Sequence, residues 1–142
     1  MELINNTYII DGIPVLDLVK KYDSPLYLYE TAVMKSQFNR MKTAFKNSKV
    51  KIHFACKALT NINILSLFKD LGAGLDAVSI QEVWLGLKAG FNPKDIMFTP
   101  NGVSLEELEL AVREGVNINI DNISILEQFG HKHGNKIPVS IR

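Results

Sequence analysis

A single cysteine, Cys56, excludes an intramolecular disulfide and a multi-cysteine zinc site. The three histidines, His53, His131 and His133, show no metal-ligand spacing, so no metal is expected. Neither sign of charge is in excess: Lys and Arg total 16 against 15 for Asp and Glu, a net charge of +1. That balance removes the electrostatic case for nucleic acid or an anionic membrane as partner. No apolar run approaches the length of a membrane span. The first residues, Met1-Glu2-Leu3-Ile4-Asn5-Asn6, lack a basic region leading into an apolar block, so no secretory signal is visible. No glycine-rich loop that could cradle a phosphate is present either. A reducing, cytoplasmic compartment is therefore the expectation. What remains is ordinary globular composition, 46% hydrophobic and 22% charged over 142 residues, enough for the core of one domain of average size.

Two kinds of organisation follow one another along the chain. Tyr8-Ile9-Ile10-Asp11-Gly12-Ile13-Pro14-Val15 reads as a short strand, a turn at Asp11-Gly12 and a re-entry, and Leu16 to Tyr22 as a short helix. From residue 31 a repeat sets in. Extended apolar stretches near 51–56, 74–78, 95–99, 116–120 and 137–142 recur about every 21 to 23 residues. Helix-length segments at 31–47, 61–71, 79–90, 104–114 and 122–133 stand around and between them. Alternation at that spacing predicts βαβ units and a parallel sheet. The boundaries agree: Ser79-x-x-Glu82 and Ser104-x-x-Glu107 have capping-box spacing, and Gly72, Gly90, Gly115 and Gly134 follow helix ends. In the fourth of these units Leu105, Leu108 and Val112 share one helix side.

The last two strands separate their faces. Val116, Ile118 and Ile120 alternate with Asn117, Asn119 and Asp121, and Ile137, Val139 and Ile141 with Ser140 and Arg142. Parallel strands usually read apolar on both faces. A one-sided polar row fits a barrel whose inner mouth holds a charged ligand.

The centre of the pattern is Lys51-Ile52-His53-Phe54-Ala55-Cys56-Lys57-Ala58. Strand alternation sends Ile52, Phe54 and Cys56 to one face, with Lys51, His53, Ala55 and Lys57 on the other. Lys57 then ends the strand at its carboxyl side, where barrels and open α/β sheets build active sites. A solvated lysine at a strand end would look the same from position alone.

Several ordered motifs weigh against that plainer reading. Phe54-Ala55-Cys56-Lys57-Ala58, Leu71-Gly72-Ala73-Gly74-Leu75-Asp76-Ala77-Val78-Ser79 with Glu82, and Leu87-Lys88-Ala89-Gly90-Phe91 resemble the fold-type III pyridoxal-phosphate decarboxylases of amino acids. Within that family the wording is most similar to the diaminopimelate decarboxylase branch. The resemblance runs from Gly12-Ile13-Pro14 and Ser24-Pro25-Leu26-Tyr27-Leu28-Tyr29 through Asn101-Gly102 to Ile141-Arg142.

It implies an α/β fold: part of a (β/α)8 TIM-type barrel with about five parallel βα units at residues 26–142, preceded by a 1–25 segment associated with the family's β-domain. Eight strands take about 250 residues, so the chain is expected to be the amino-terminal part of a larger enzyme, inactive alone. The implied activity of that enzyme is pyridoxal 5'-phosphate-dependent decarboxylation of meso-2,6-diaminopimelate to L-lysine by a homodimer. Alternatives are decarboxylation of ornithine, arginine or carboxynorspermidine, or a non-catalytic pyridoxal-phosphate-binding or regulatory barrel.

The resemblance also assigns residues. Lys57 is implied as the lysine that carries the cofactor covalently, a role that needs an amine kept partly unprotonated by desolvation or neighbouring cations. Asp76 is implied near the lysine, although aspartate also caps helices well. Glu82 is equally a capping-box glutamate and a site residue. Arg142, always charged, is implied beside the pyridoxal ring. Asn101, in the Asn101-Gly102 turn signal, occupies a family position at the barrel mouth. His53 reads as a buried, hydrogen-bonded histidine, His131 and His133 as surface cations at a helix end, and Cys56 as a small core residue. Cys56, Leu59 and Ile80-Gln81 depart from the family's common valine, asparagine and paired glycines.

Overall fold

A computed structural model describes all residues from Met1 to Arg142. The chain divides into two compact units, Met1–Lys49 and Val50–Arg142.

In the first unit, β1 (Glu2–Ile4), β2 (Thr7–Ile10) and β3 (Ile13–Pro14) form an antiparallel meander. Both turns use left-handed pairs: Asn5 and Asn6 have φ of 47° and 63°, Asp11 and Gly12 of 52° and 81°. Two-residue hairpins need positive φ at both central positions, which Asn, Asp and Gly tolerate. The second hairpin is the one that Asp11-Gly12 predicts. The first is not expected from sequence, because Asn-Asn is a weaker signal than Asp-Gly. Helix α1 (Val15–Tyr22) and helix α2 (Thr31–Ala44) complete the unit.

The second unit is a five-stranded parallel sheet in the order β4-β5-β6-β7-β8. Its strands are β4 (His53–Ala55), β5 (Gly74–Ala77), β6 (Ile96–Phe98), β7 (Asn117–Ile120) and β8 (Val139–Ile141). Helices α3 (Ile62–Asp70), α4 (Ile80–Lys88), α5 (Leu105–Glu114) and α6 (Ile123–His133) alternate with them. Each helix start is capped by the side chain before it: Asn61, Ser79, Ser104 and Asn122 accept from amides in the first turn. All four glycines expected after helix ends have positive φ, and Gly115, at φ 72° and ψ 20°, is a left-handed cap.

Strand alternation creates two unlike faces. Leu75, Ala77, Ile96, Phe98, Ile118 and Ile120 are buried in one core with Leu65, Val83, Leu108, Ala111 and Phe129 of the helices. A buried Leu, Ile or Phe contributes about 1.5–3 kcal/mol relative to exposure. Phe54 joins this side, its ring stacked on Phe68 at 4.1 Å. The other face carries His53, Ala55, Asp76, Met97, Asn117, Asn119 and Ser140. The one-sided polar row seen in the sequence is thus an observed sheet face.

Two capping boxes were expected, and each is half made. Ser79 Oγ and Ser104 Oγ accept from Glu82 N and Glu107 N at 3.3 Å. The return bonds go elsewhere: Glu82 Oε2 accepts from Val78 N at 2.8 Å and Glu107 Oε1 from Ile80 N at 3.3 Å. Those amides open α4 and the loop before it, so the carboxylates tie α4 to its own strand and to α5.

Histidine 133 corrects a second expectation. It is a partner rather than a free surface cation: Nε2 lies 2.6 Å from Glu109 Oε1, and its ring is tilted on Phe129 at 4.5 Å. Lys132 reaches the other oxygen of Glu109 at 3.2 Å. Together they clamp α6 to α5.

Candidate functional site

Lys57 leaves the sheet differently from the strand-end placement expected. Pairing stops at Ala55, and Cys56–Ala58 form a 3-10 turn closed by Leu59 N donating to Cys56 O at 3.0 Å. The turn buries Cys56 completely and leaves Lys57 exposed. Burial pushes the Cys56 thiol up to about 11, and the carboxylates of Glu82 and Asp76 push the same way. It is a core residue and an unionised one at neutral pH.

The polar face and this turn meet at the carboxyl ends of the strands. In register, Ala55 pairs with Asp76, Asp76 with Met97 and Met97 with Asn117. Two positions further along each segment stand Lys57, Val78, Thr99 and Asn119. With Asp76 and Arg142, these four line a cavity of about 240 Å³. A second cavity of about 230 Å³, lined by His53, Asp76 and Met97, lies against the same carboxylate.

Backbone bonds hold the rim. Thr99 N donates to Ala77 O at 2.8 Å, continuing the ladder one residue past β6, and Arg142 N donates to Ile120 O at 3.0 Å. Within the cavity Asp76 Oδ1 accepts from the Thr99 hydroxyl. The side chains of Lys57 and Arg142 enter none of the chain's hydrogen bonds or ion pairs. One carboxylate thus shares a cavity with two unpaired cations and bonds to a hydroxyl instead.

The sequence candidates divide. Lys57, Asp76 and Arg142 come together. Glu82 stands behind the wall, its carboxylate spent on the Val78 amide and close enough to raise the Cys56 thiol. Asn101 is exposed and lines neither cavity, while the neighbouring Gly102 N donates to Asp121 Oδ2 at 3.3 Å. His53 is half-buried, with Nδ1 3.2 Å from Leu75 O, as a hydrogen-bonded interior histidine should be. Val78, Thr99 and Asn119 line the cavity without having been sequence candidates, and of these Thr99 is the one bonded to Asp76. The signal available for it was alternation: it shares a face with Met97, two residues beyond, just before the Pro100-Asn101-Gly102 turn.

The donor set matches an aromatic aldehyde that carries an acidic hydroxyl. Lys57 supplies an amine, Arg142 a fixed cation, and Thr99, Asn119 and Asp76 supply hydrogen-bonding groups. A pyridoxal ring has those features.

Comparison with known proteins bears on the same region. Residues 31–142 match the family model described as pyridoxal-dependent decarboxylase, pyridoxal binding domain. Diaminopimelate decarboxylase of Methanothermobacter thermautotrophicus is 33% identical over 136 residues, 94% of this chain and 32% of that protein. The Helicobacter pylori enzyme of the same name is 38% identical over 130 residues, 89% of this chain and 32% of its own. The crystal structure of diaminopimelate decarboxylase from M. jannaschii in co-complex with L-lysine superposes with a TM-score of 0.87 at 28% identity, covering 99% of this chain and 35% of that one. The chain therefore spans about a third of the length of the curated relatives it matches. No helix is long and apolar enough to cross a membrane.

Proposed function

The chain belongs to the pyridoxal-dependent decarboxylases, as their pyridoxal-binding domain, and from that premise we propose that it forms the lysine-bearing part of a diaminopimelate decarboxylase. The observation that carries the reading is the meeting of Lys57, Asp76 and Arg142 around one cavity at the carboxyl ends of the strands. Relatives named for that reaction, at 33% and 38% identity, support the choice of substrate. Residues 26–142 are read as the amino-terminal part of the barrel, and a homodimer as the assembly of the complete enzyme.

Pyridoxal phosphate, when bound, supplies the electron sink that lets an α-carboxylate leave as carbon dioxide. The chain's own residues bind and orient. Lys57 offers an amine free of internal partners, held at the tip of a turn that Cys56 anchors in the core. Arg142 presents a charge that does not titrate, suited to a phenolate or a substrate carboxylate. Asn119 can donate or accept at the same wall. Val78 adds an apolar side chain to the same wall. Glu82 acts on structure, by fixing the Val78 amide at the start of the loop.

The test is borohydride reduction of the protein with pyridoxal phosphate, followed by peptide mass spectrometry. Selective reduction at Lys57 is expected. Labelling spread evenly over the lysines would remove the cofactor assignment, and in a complete enzyme turnover of meso-diaminopimelate surviving Lys57→Ala would show that another lysine serves.

A further inference from the structure

We propose that Thr99 is a positioning residue that holds the Asp76 carboxylate away from Lys57 and so keeps the lysine amine free to react. The inference deepens the functional reading above and rests on it for the identity of the aldehyde that Lys57 meets.

Asp76 has an evident alternative to its present bond. It lines one cavity with two cations, Lys57 and Arg142, and neither is paired within the chain. A carboxylate that shares a cavity with unpaired cations can pair with one of them, a contact worth up to about 1 kcal/mol where the lysine is exposed. Asp76 instead takes the Thr99 hydroxyl on Oδ1. Thr99 is well built for that task. Its amide is fixed to Ala77 O at 2.8 Å, on the strand that bears Asp76. As a β-branched side chain it has few χ1 choices. Its position two residues beyond Met97, the register partner of Asp76, aims the hydroxyl diagonally across the polar face.

The chemical consequence lies at Lys57. An amine must be free of a carboxylate partner to attack a carbonyl carbon, since ion pairing holds it as ammonium. Restraining Asp76 keeps a negative charge in the cavity, where it can face a cationic group of a ligand, without spending it on the nucleophile.

The experiment reads Lys57 directly and needs no cofactor. The full chain is acylated with limiting acetic anhydride at neutral pH, and peptide mass spectrometry gives the rate at Lys57 relative to Lys88. Thr99→Val, which keeps the shape and removes the hydroxyl, should slow Lys57 by about two- to fivefold, the worth of an exposed ion pair. Thr99→Ser, which keeps the hydroxyl, should react like wild type. In an Asp76→Asn background, Thr99→Val should change nothing, because no carboxylate remains to release.

Four results would overturn the proposal: unchanged or faster acylation in Thr99→Val, equal slowing in Thr99→Ser, slowing in Asp76→Asn alone, or persistence of the valine effect in the Asn background. Asp76→Asn and Thr99→Ser keep the test decisive if the valine variant does not fold. Pyridoxal phosphate and borohydride run in parallel separate the two readings. The acylation pattern without pyridoxal labelling would remove the cofactor and leave the role of Thr99 standing. Labelling of Lys57 with no dependence on Thr99 would do the reverse.

Discussion

The Glu82 carboxylate accepts the amide of Val78 at 2.8 Å, four residues before it, while its own amide donates to Ser79 at 3.3 Å. The carboxylate thus braces the loop that leads from β5 into α4. Glu82→Ala should cost about 1.5–3 kcal/mol, the worth of a hydrogen bond to a charged acceptor, read as a lower urea midpoint at unchanged slope. Glu82→Gln keeps an acceptor oxygen and should lose less.

The same carboxylate acts on Cys56. With the thiol at about 11 in the folded chain against an ordinary 9.0, the folded state holds its proton more tightly than the unfolded one. The contribution to stability is complete below pH 9 and is lost as pH rises from there toward 11. Unfolding midpoints measured across that window should fall, and Cys56→Ala should flatten the decline. Glu82→Gln removes one of the charges that hold the thiol up, so alkylation of Cys56 should begin at a lower pH.

Gly74 has no room for a side chain. An added Cβ would stand 2.7 Å from His53 ring atoms and 2.8 Å from the Asp95 carbonyl oxygen. Gly74→Ala should destabilise by about 1–3 kcal/mol, as overpacking does. Removing the ring with His53→Ala should recover only part of the loss, because the Asp95 contact is backbone. Full recovery in the double variant would show that the strand has shifted.

Glu109 joins α5 to α6 through His133 at 2.6 Å and Lys132 at 3.2 Å. The His133 hydrogen bond, with help from Lys132, holds its carboxyl below the usual range. A lowered acid stabilises the fold above its unfolded value near 4.3 and loses that stabilisation as pH falls through the folded one. Glu109→Gln should cost about 1–2 kcal/mol at neutral pH and should weaken the dependence of stability on pH below 5. Thermal melts of both proteins from pH 7 to 3 measure the difference.

Alternation and end signals carried most of the second unit. Ser79, Ser104 and the glycines after each helix bounded elements to within two residues or so, because capping is local chemistry. The polar row Asn117, Asn119, Ser140 was legible because strand period is fixed by geometry. What escaped depended on neighbours across the sheet or between helices. Nothing near Thr99 in sequence announces Asp76, and nothing near His133 announces Glu109. Lys57 was found by its strand and its motif, but the turn that releases it from the sheet needs only one bond, Leu59 to Cys56, which has no distinct sequence mark.

The strand order of the parallel sheet bears on how the chain is made. Each strand pairs with the one synthesised just before it, about 21 residues earlier, as His53 with Gly74 and Ile118 with Val139. No strand waits for a distant partner. A ribosome releasing this segment would deliver each new β-strand to an edge already formed, so the sheet can lengthen in the direction of translation, its growing edge moving from strand to strand while the outer edge of β4 stays unpaired.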